Sequence, residues 1–181
     1  MTKRTCEKLA EVYEGLGLET VGLRFFTVYG PRQRPDMAIR RLCEAVSGGP
    51  RFRLNGDGSQ SRDFTFVSDV VDAVIRATQA ERPGAVLNIG GGHEASMLEV
   101  IEQLGRLAGT PLDIEPGDEE IGDVRRTGGD TGRARRSLGW APQVELADGL
   151  AAELGWVRMR HAAVEDVAPY AEHELLVGQA S

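Results

Sequence analysis

The side chains that could do chemistry in this sequence sit at the ends of short apolar runs. Val21 to Phe26 has the length and residue types of a buried strand. It breaks at Tyr29-Gly30-Pro31, where Gly30 permits a turn and Pro31 cannot continue a ladder. Arg32 and Arg34 follow at once. Cations on a turn at the carboxyl end of a buried strand stand where an open α/β sheet places its ligand. Arg62-Asp63 opens a second alternating run, and one reading of it, short of the stronger, is a surface ion pair on a strand end worth under ~1 kcal/mol. Lys3 lies among charges and reads as a solvated lysine. His93 has no acid or metal-ligand spacing around it, so no metal site is expected. Gly90-Gly91-Gly92 ends an apolar run before a helix, with Asp113 beyond. Its spacing is not G-x-G-x-x-G, so a tight strand-to-helix connection is expected.

The elements that must position these groups alternate between strand and helix. An amphipathic helix spans Met1 to Leu16, with Cys6, Leu9, Ala10 and Tyr13 on one face and Gly15 and Gly17 ending it. After the Val21 to Phe26 strand, Asp36 is expected to cap a helix from Met37 to Val46. Phe52 to Leu54 is a short strand, Asn55 to Gly58 a turn, and Arg62 to Phe66 a strand. Ser68 is expected to cap the next helix. Ala85 to Ile89 reads as another buried strand, followed by a helix from Ser96 or Met97 to Ala108 and a strand from Leu112 to Ile114. Glu115 to Asp123, EPGDEEIGD, reads as a solvated acidic loop. Thr131 to Leu138 is a basic helix before Gly139-Trp140-Ala141-Pro142, and Leu146 to Val157 is the last amphipathic helix. Residues 158–181 are a tail, either a further helix from Val164 to Leu176 or loose chain.

Composition narrows the classes. A chain of 181 residues suits one domain with a real core. A net charge of −7 argues against a nucleic-acid surface. Cys6 and Cys43 lack metal spacing and indicate reduced thiols of a cytoplasmic protein. The charged start MTKRTCEKLAEVYEG has no signal-peptide core, and no window is apolar enough to cross a membrane.

The run LRFFTVYGPRQRPD closely resembles the strand and loop after the catalytic helix of NAD-dependent sugar-nucleotide epimerases and dehydratases. These are the extended short-chain dehydrogenases, among them the UDP-glucose and UDP-glucuronate 4-epimerases. GDGSQSRDFTFVSDVVDAV lies at the spacing that family shows, and NIGGG and GDVRRTGGD follow. The resemblance covers roughly Met1 to Trp156, the second half of a family member.

That resemblance implies an α/β fold, the C-terminal part of a Rossmann-like sheet plus a small substrate-binding subdomain, over residues 1–157. It implies NAD as cofactor and a UDP-sugar as substrate. In the family, tyrosine takes the sugar hydroxyl proton while NAD accepts hydride, and the keto sugar turns before hydride returns to its other face. MTKRTCEKL matches the segment holding the lysine of Tyr-x-x-x-Lys. Lys3 would then hold the nicotinamide ribose and assist the tyrosine. The tyrosine falls upstream of Met1, as does the glycine-rich dinucleotide loop, so the chain is expected to represent a truncated member. Phe25 and Phe26 match the nicotinamide side. Thr27, Met37, Asn55, Arg62 and Asp123 are the substrate-side positions, with Arg62 on the diphosphate and Asp123 on the ribose. Thr27 stands where many members carry Asn, which resembles the uronate branch. Glu120 stands where an Arg is common, and Arg125 or Arg126 could substitute.

Leu9, Tyr13, Val21, Leu23 and Phe25 are expected to form an uncovered patch. A complementing N-terminal half or a homodimer is the expected partner. A non-catalytic nucleotide-sugar-binding module, and a 4,6-dehydratase or reductase, remain as alternatives.

Overall fold

The computed structural model of the chain describes residues 2–80, 86–91, 94–119 and 122–177, with side chains from Lys3 to Ala163 within those ranges. The expected α/β organisation is present. Helix α1 (Thr2–Gly15) leads to β1 (Gly22–Phe25), which pairs in parallel with β5 (Val86–Ile89). At Phe26 the chain changes partners. Its N–H still donates to the Ile89 carbonyl, at 3.4 Å, but β2 (Thr27–Tyr29) runs parallel to β4 (Ser61–Phe66) instead. The expected Val21 to Phe26 strand is β1, and β2, which was not expected, follows it in a second ladder.

β4 is the hub of the larger sheet. Besides β2 it carries β6 (Glu94–Ser96), antiparallel, and the two-residue β8 (Arg126–Thr127), parallel. A separate parallel pair joins β3 (Phe52–Asn55) to β7 (Ile114–Gly117). β7 corrects the expected strand at Leu112 to Ile114 and the expected acidic loop, because Glu115 to Gly117 is drawn into pairing by β3.

Helices α2 (Ala38–Val46), α4 (Met97–Ala108) and the first turns of α6 (Leu146–Val177) enclose one core with β2, β3 and β4. Leu146, Leu150, Leu154 and Val157 recur on one face of α6 and are all buried. Each contributes about 1.5–3 kcal/mol by leaving water, which fixes the start of α6 against β2 and α2. α6 continues to Val177 as one helix, rather than stopping at Val157 with a separate helix after it. A second core lies under β5, where α3 (Val67–Gln79) and α5 (Gly132–Leu138) bring Val70, Ala73, Ala134 and Trp140 onto Leu87 and Ile89.

Helix starts divide by where their orphan N–H groups go. α4 starts where expected, at Met97, and Ser96 caps it with a reciprocal Ser96–Glu99 capping box. Asp36 and Ser68 do not cap their helices. Met37 and Phe66 occupy those cap positions with extended backbone and no side-chain bond. The N–H of Arg40 in α2 is met from the loop before it, by Oε1 of Gln33 at 3.0 Å.

The expected burial of β1 fails at its end. Arg24 and Phe25 are exposed, and among the described residues β1 pairs on one edge alone. Val21 and Leu23 pack against the second core, so they leave the expected patch. Leu9, Tyr13 and Phe25 remain uncovered, joined by Val12 and Leu16.

Candidate functional site

Two clefts flank the strands. Between α1 and β1 runs an open groove of about 770 Å³, lined by Lys3, Glu7, Ala10, Leu23, Arg24 and Phe25 among others. Arg24 and Glu7 form a bidentate ion pair across it, with both bonds at 2.6 Å. The guanidinium holds the Glu7 carboxyl below the usual carboxylate range. Lys3 thus reaches the same groove as Phe25, whose ring is 47% exposed. Phe26 points elsewhere. A Cβ on Gly129 would overlap its ring, so Phe26 packs on the backbone beside β8.

The second cleft is small and polar, about 140 Å³, and is lined by Asn55, Asp57, Gln60, Asp123 and Arg125, with Gly56, Ser59, Glu119 and Val124 completing it. Arg62 stands beside it. Its Nη1 donates to the carbonyls of Ser61, at 2.8 Å, and Val124, at 2.6 Å, while Nη2 donates to the Asp123 carboxylate. Only 18% of the Arg62 side chain is exposed. The strand pleat separates it from its neighbour: Asp63 points to the opposite face, is 3% exposed, and accepts the Gly91 N–H at 2.7 Å. Arg62-Asp63 is therefore not an ion pair. Each residue serves a different face of β4.

The structure brings Asn55, Arg62 and Asp123 together, and Lys3 with Phe25. Thr27 lies on β2 opposite Phe64, and Met37 precedes α2 with its sulfur 3.7 Å from Nη2 of Arg34. Neither lines either cleft. Arg34 pairs with Asp36, and Arg32 is exposed on the loop after Gly30. His93 and Glu120 lie outside the described residues.

The glycine turn is tightly packed, but it leads into β6 and not directly into α4 as expected. A Cβ on Gly91 would overlap the Phe64 carbonyl oxygen, so β4 already fills the space that a ligand phosphate would need. Among the described residues no cluster of His, Cys, Asp or Glu could hold a metal ion, and no helix is long and apolar enough to cross a membrane.

Sequence reasoning missed two buried carboxylates that shape these surroundings. Asp69 accepts the N–H groups of Gln143 and Val144, both at 3.1 Å, and so fixes the turn after Trp140. Glu153 is fully buried and accepts the Gly30 N–H at 2.8 Å. Its position on an apolar helix face, with Leu146, Leu150, Leu154 and Val157, was the available signal.

Known proteins share this arrangement. Residues 1–90 match the model of the NAD dependent epimerase/dehydratase family. A Bacillus subtilis protein described as an uncharacterized UDP-glucose epimerase, YtcB, is 39% identical over 159 residues, 87% of this chain and 50% of that one. The UDP-glucuronate 4-epimerase of Thermodesulfobacterium geofontis is 35% identical over 157 residues, 86% of this chain and 48% of its own. The UDP-glucuronic acid 4-epimerase of Bacillus cereus, solved in complex with UDP-glucuronic acid and NAD, superposes with a TM-score of 0.80 at 36% identity. That match covers 84% of this chain and 50% of that one. The chain spans about half the length of the curated relatives it matches. The α/β sheet and these likenesses agree: the chain belongs to the NAD-dependent epimerase/dehydratase family, of the extended short-chain dehydrogenase kind.

Proposed function

We propose that this chain is the sugar-nucleotide side of a UDP-sugar 4-epimerase, working with a dinucleotide-binding half on the same polypeptide or another. The observation that carries the reading is Arg62, bonded to Asp123 and Val124 in the wall of a polar cleft that Asn55 also lines. On ligand binding, Nη2 of Arg62 turns from Asp123 to a diphosphate oxygen while Nη1 stays on the Val124 carbonyl. Asp123 is then free to accept from a ribose hydroxyl. An Arg can do this because its planar fork divides between two acceptors. The relatives' descriptions name UDP-glucose and UDP-glucuronate, which supports uridine diphosphate as the shared part of the ligand.

NAD fits one wall of the α1–β1 groove. Lys3 supplies a cation and Phe25 an exposed aromatic face, the groups a nicotinamide riboside needs. Its pyrophosphate does not fit the Gly90-Gly91 turn, which β4 occupies. A bound nicotinamide would supply hydride acceptance, and Lys3 would hold the ribose. The partner half docks on the open edge of β1, beside exposed Leu9, Tyr13 and Phe25.

The test is calorimetric titration of the chain with UDP, then with NAD⁺. We expect UDP to bind, and Arg62→Ala to weaken it roughly tenfold or more, the scale of a charged hydrogen bond. NAD⁺ is expected to bind no tighter than millimolar. UDP binding indifferent to Arg62 would contradict the substrate assignment, and micromolar NAD⁺ binding would contradict the one-walled cofactor groove.

A further inference from the structure

The loop Tyr29–Pro35 is held in an unrelaxed backbone. Gly30 has φ +131°, and Arg32, a residue with a Cβ, has φ +73°. The loop also lies close against the β4–α3 junction, since a Cβ on Gly30 would lie 2.8 Å from Val67 and 2.9 Å from Phe66. Such a loop keeps its shape only if its surroundings over-determine it. Two side chains do so. Gln33 donates through Nε2 to the Val28 carbonyl, at 2.8 Å, and accepts the Arg40 N–H, which ties the loop to α2. Glu153 reaches from α6 to the Gly30 N–H.

The Glu153 clamp has an unusual setting. The residue is 0% exposed, and its second oxygen, Oε1, has no hydrogen-bond partner among the described residues. The nearby cation is already engaged. Arg40 bonds Glu44, at 2.7 Å through Nε and 2.6 Å through Nη2, and its guanidinium lies 4.5 Å from the Trp156 ring centroid. The titratable and charged groups facing Glu153 are Tyr29 of β2 and Arg40 and Cys43 of α2. α4 and β4 bring apolar Val100, Leu104, Phe64 and Phe66 to the same core.

We propose that Glu153 is a positioning residue whose ionised carboxylate clamps the Gly30 N–H and holds the Tyr29–Pro35 loop in its strained form, and whose protonation releases it. An N–H bond to a carboxylate is roughly twice as strong as one to a neutral oxygen, so neutralising the acid removes the extra hold. Burial pushes the Glu153 carboxyl up to about 7, against the opposing pull of the Gly30 N–H and Arg40. Burial also raises the Tyr29 phenol and pushes the Cys43 thiol up to about 12, so both stay neutral while Glu153 titrates. The clamp stands on the chain alone.

The test is nuclear magnetic resonance of the ligand-free chain from pH 5.5 to 8.5, so the outcome does not depend on whether UDP binds. In the wild type, the Gly30 and Arg32 amide signals and the ¹³C signal of the Glu153 carboxyl should titrate together near pH 7. In Glu153→Gln both amides should lose that midpoint. Amide signals that stay flat, or that titrate identically in Glu153→Gln, would overturn the proposal. If the variant does not fold, the wild-type curves decide: coincident carboxyl and amide midpoints support the clamp, and separate midpoints refute it.

Discussion

Asp69 of α3 holds both Trp140 and the turn that follows it. The indole Nε1 donates to the Asp69 carbonyl at 2.9 Å, and the Asp69 carboxylate takes the N–H groups of Gln143 and Val144. Asp69→Ala strands those two part-buried donors, so we expect a loss of about 2–4 kcal/mol, from one to two unmet groups. Urea unfolding with an unchanged m-value and a lower midpoint would show it. Asp69→Asn, which keeps one acceptor oxygen, should lose less.

Glu153 makes stability fall with pH. Its folded-state pKa is raised, from 4.5 to about 7, so its contribution is fully present below pH 4.5 and is lost as pH rises through 7. The loss across that window should reach the order of 3 kcal/mol. Unfolding free energies at pH 5 and pH 8 should differ in that direction, and Glu153→Gln should flatten the difference. A wild type that gains stability from pH 5 to pH 8 by the amount Glu153→Gln lacks would show the opposite sign.

Gly91 and Gly15 should respond in opposite ways to the same substitution. Gly91→Ala drives a Cβ into the β4 backbone and should destabilise by at least ~3 kcal/mol or prevent folding. Gly15 closes α1 with open space within 4 Å of where a Cβ would stand, and its backbone is not left-handed. Gly15→Ala should therefore be neutral or stabilising by up to ~1 kcal/mol. Thermal melts of the two variants, side by side, check both signs.

Asp123 should act differently on two anions. Asp123→Asn removes the carboxylate that Nη2 of Arg62 now bonds. Inorganic pyrophosphate, which needs only the freed guanidinium, should bind a few-fold tighter. UDP should gain less, because the ribose loses its acceptor. Equal gains for both ligands would remove Asp123 from the nucleoside side.

The uncovered face of α1 should make the chain associate. Leu9, Val12, Tyr13 and Leu16 are all exposed, close to an unpaired strand edge. Sedimentation should show species larger than a monomer at micromolar concentration. Leu9→Glu with Tyr13→Glu should shift the chain toward monomer with little change in unfolding midpoint, since neither side chain is in a core.

What could be read beforehand was local. Helix α4 was legible because Ser96 and Glu99 carry its start within four residues. The strand at Val21 was legible, but β2 after Phe26 was not, because its partner β4 lies far along the chain. β6 and the shift of β7 arise the same way: Glu94 to Ser96 and Glu115 to Gly117 look like loop until β4 and β3 offer them backbone. Asp36 and Ser68 looked like caps because their types favour that role, yet each lies one or two positions from the true cap. In the site, Arg62 and Asp123 were found through resemblance, and their mutual bond needed the fold. Glu153 could not be told from an ordinary helix glutamate, since what distinguishes it is a turn more than a hundred residues earlier.

Two of the parallel ladders, β1–β5 and β3–β7, also set a timetable for synthesis. β1 leaves the ribosome about sixty residues before β5, and β3 as far ahead of β7, a delay of roughly 3–12 s at about 5–20 residues per second. Throughout that interval the edge of the nascent β1 that β5 will cover is bare. It is then a target for chaperone capture or for pairing with a neighbouring nascent chain. Slowing translation between the two strands lengthens that window, so yield from the cell should depend on codon choice there even where the finished molecule is identical.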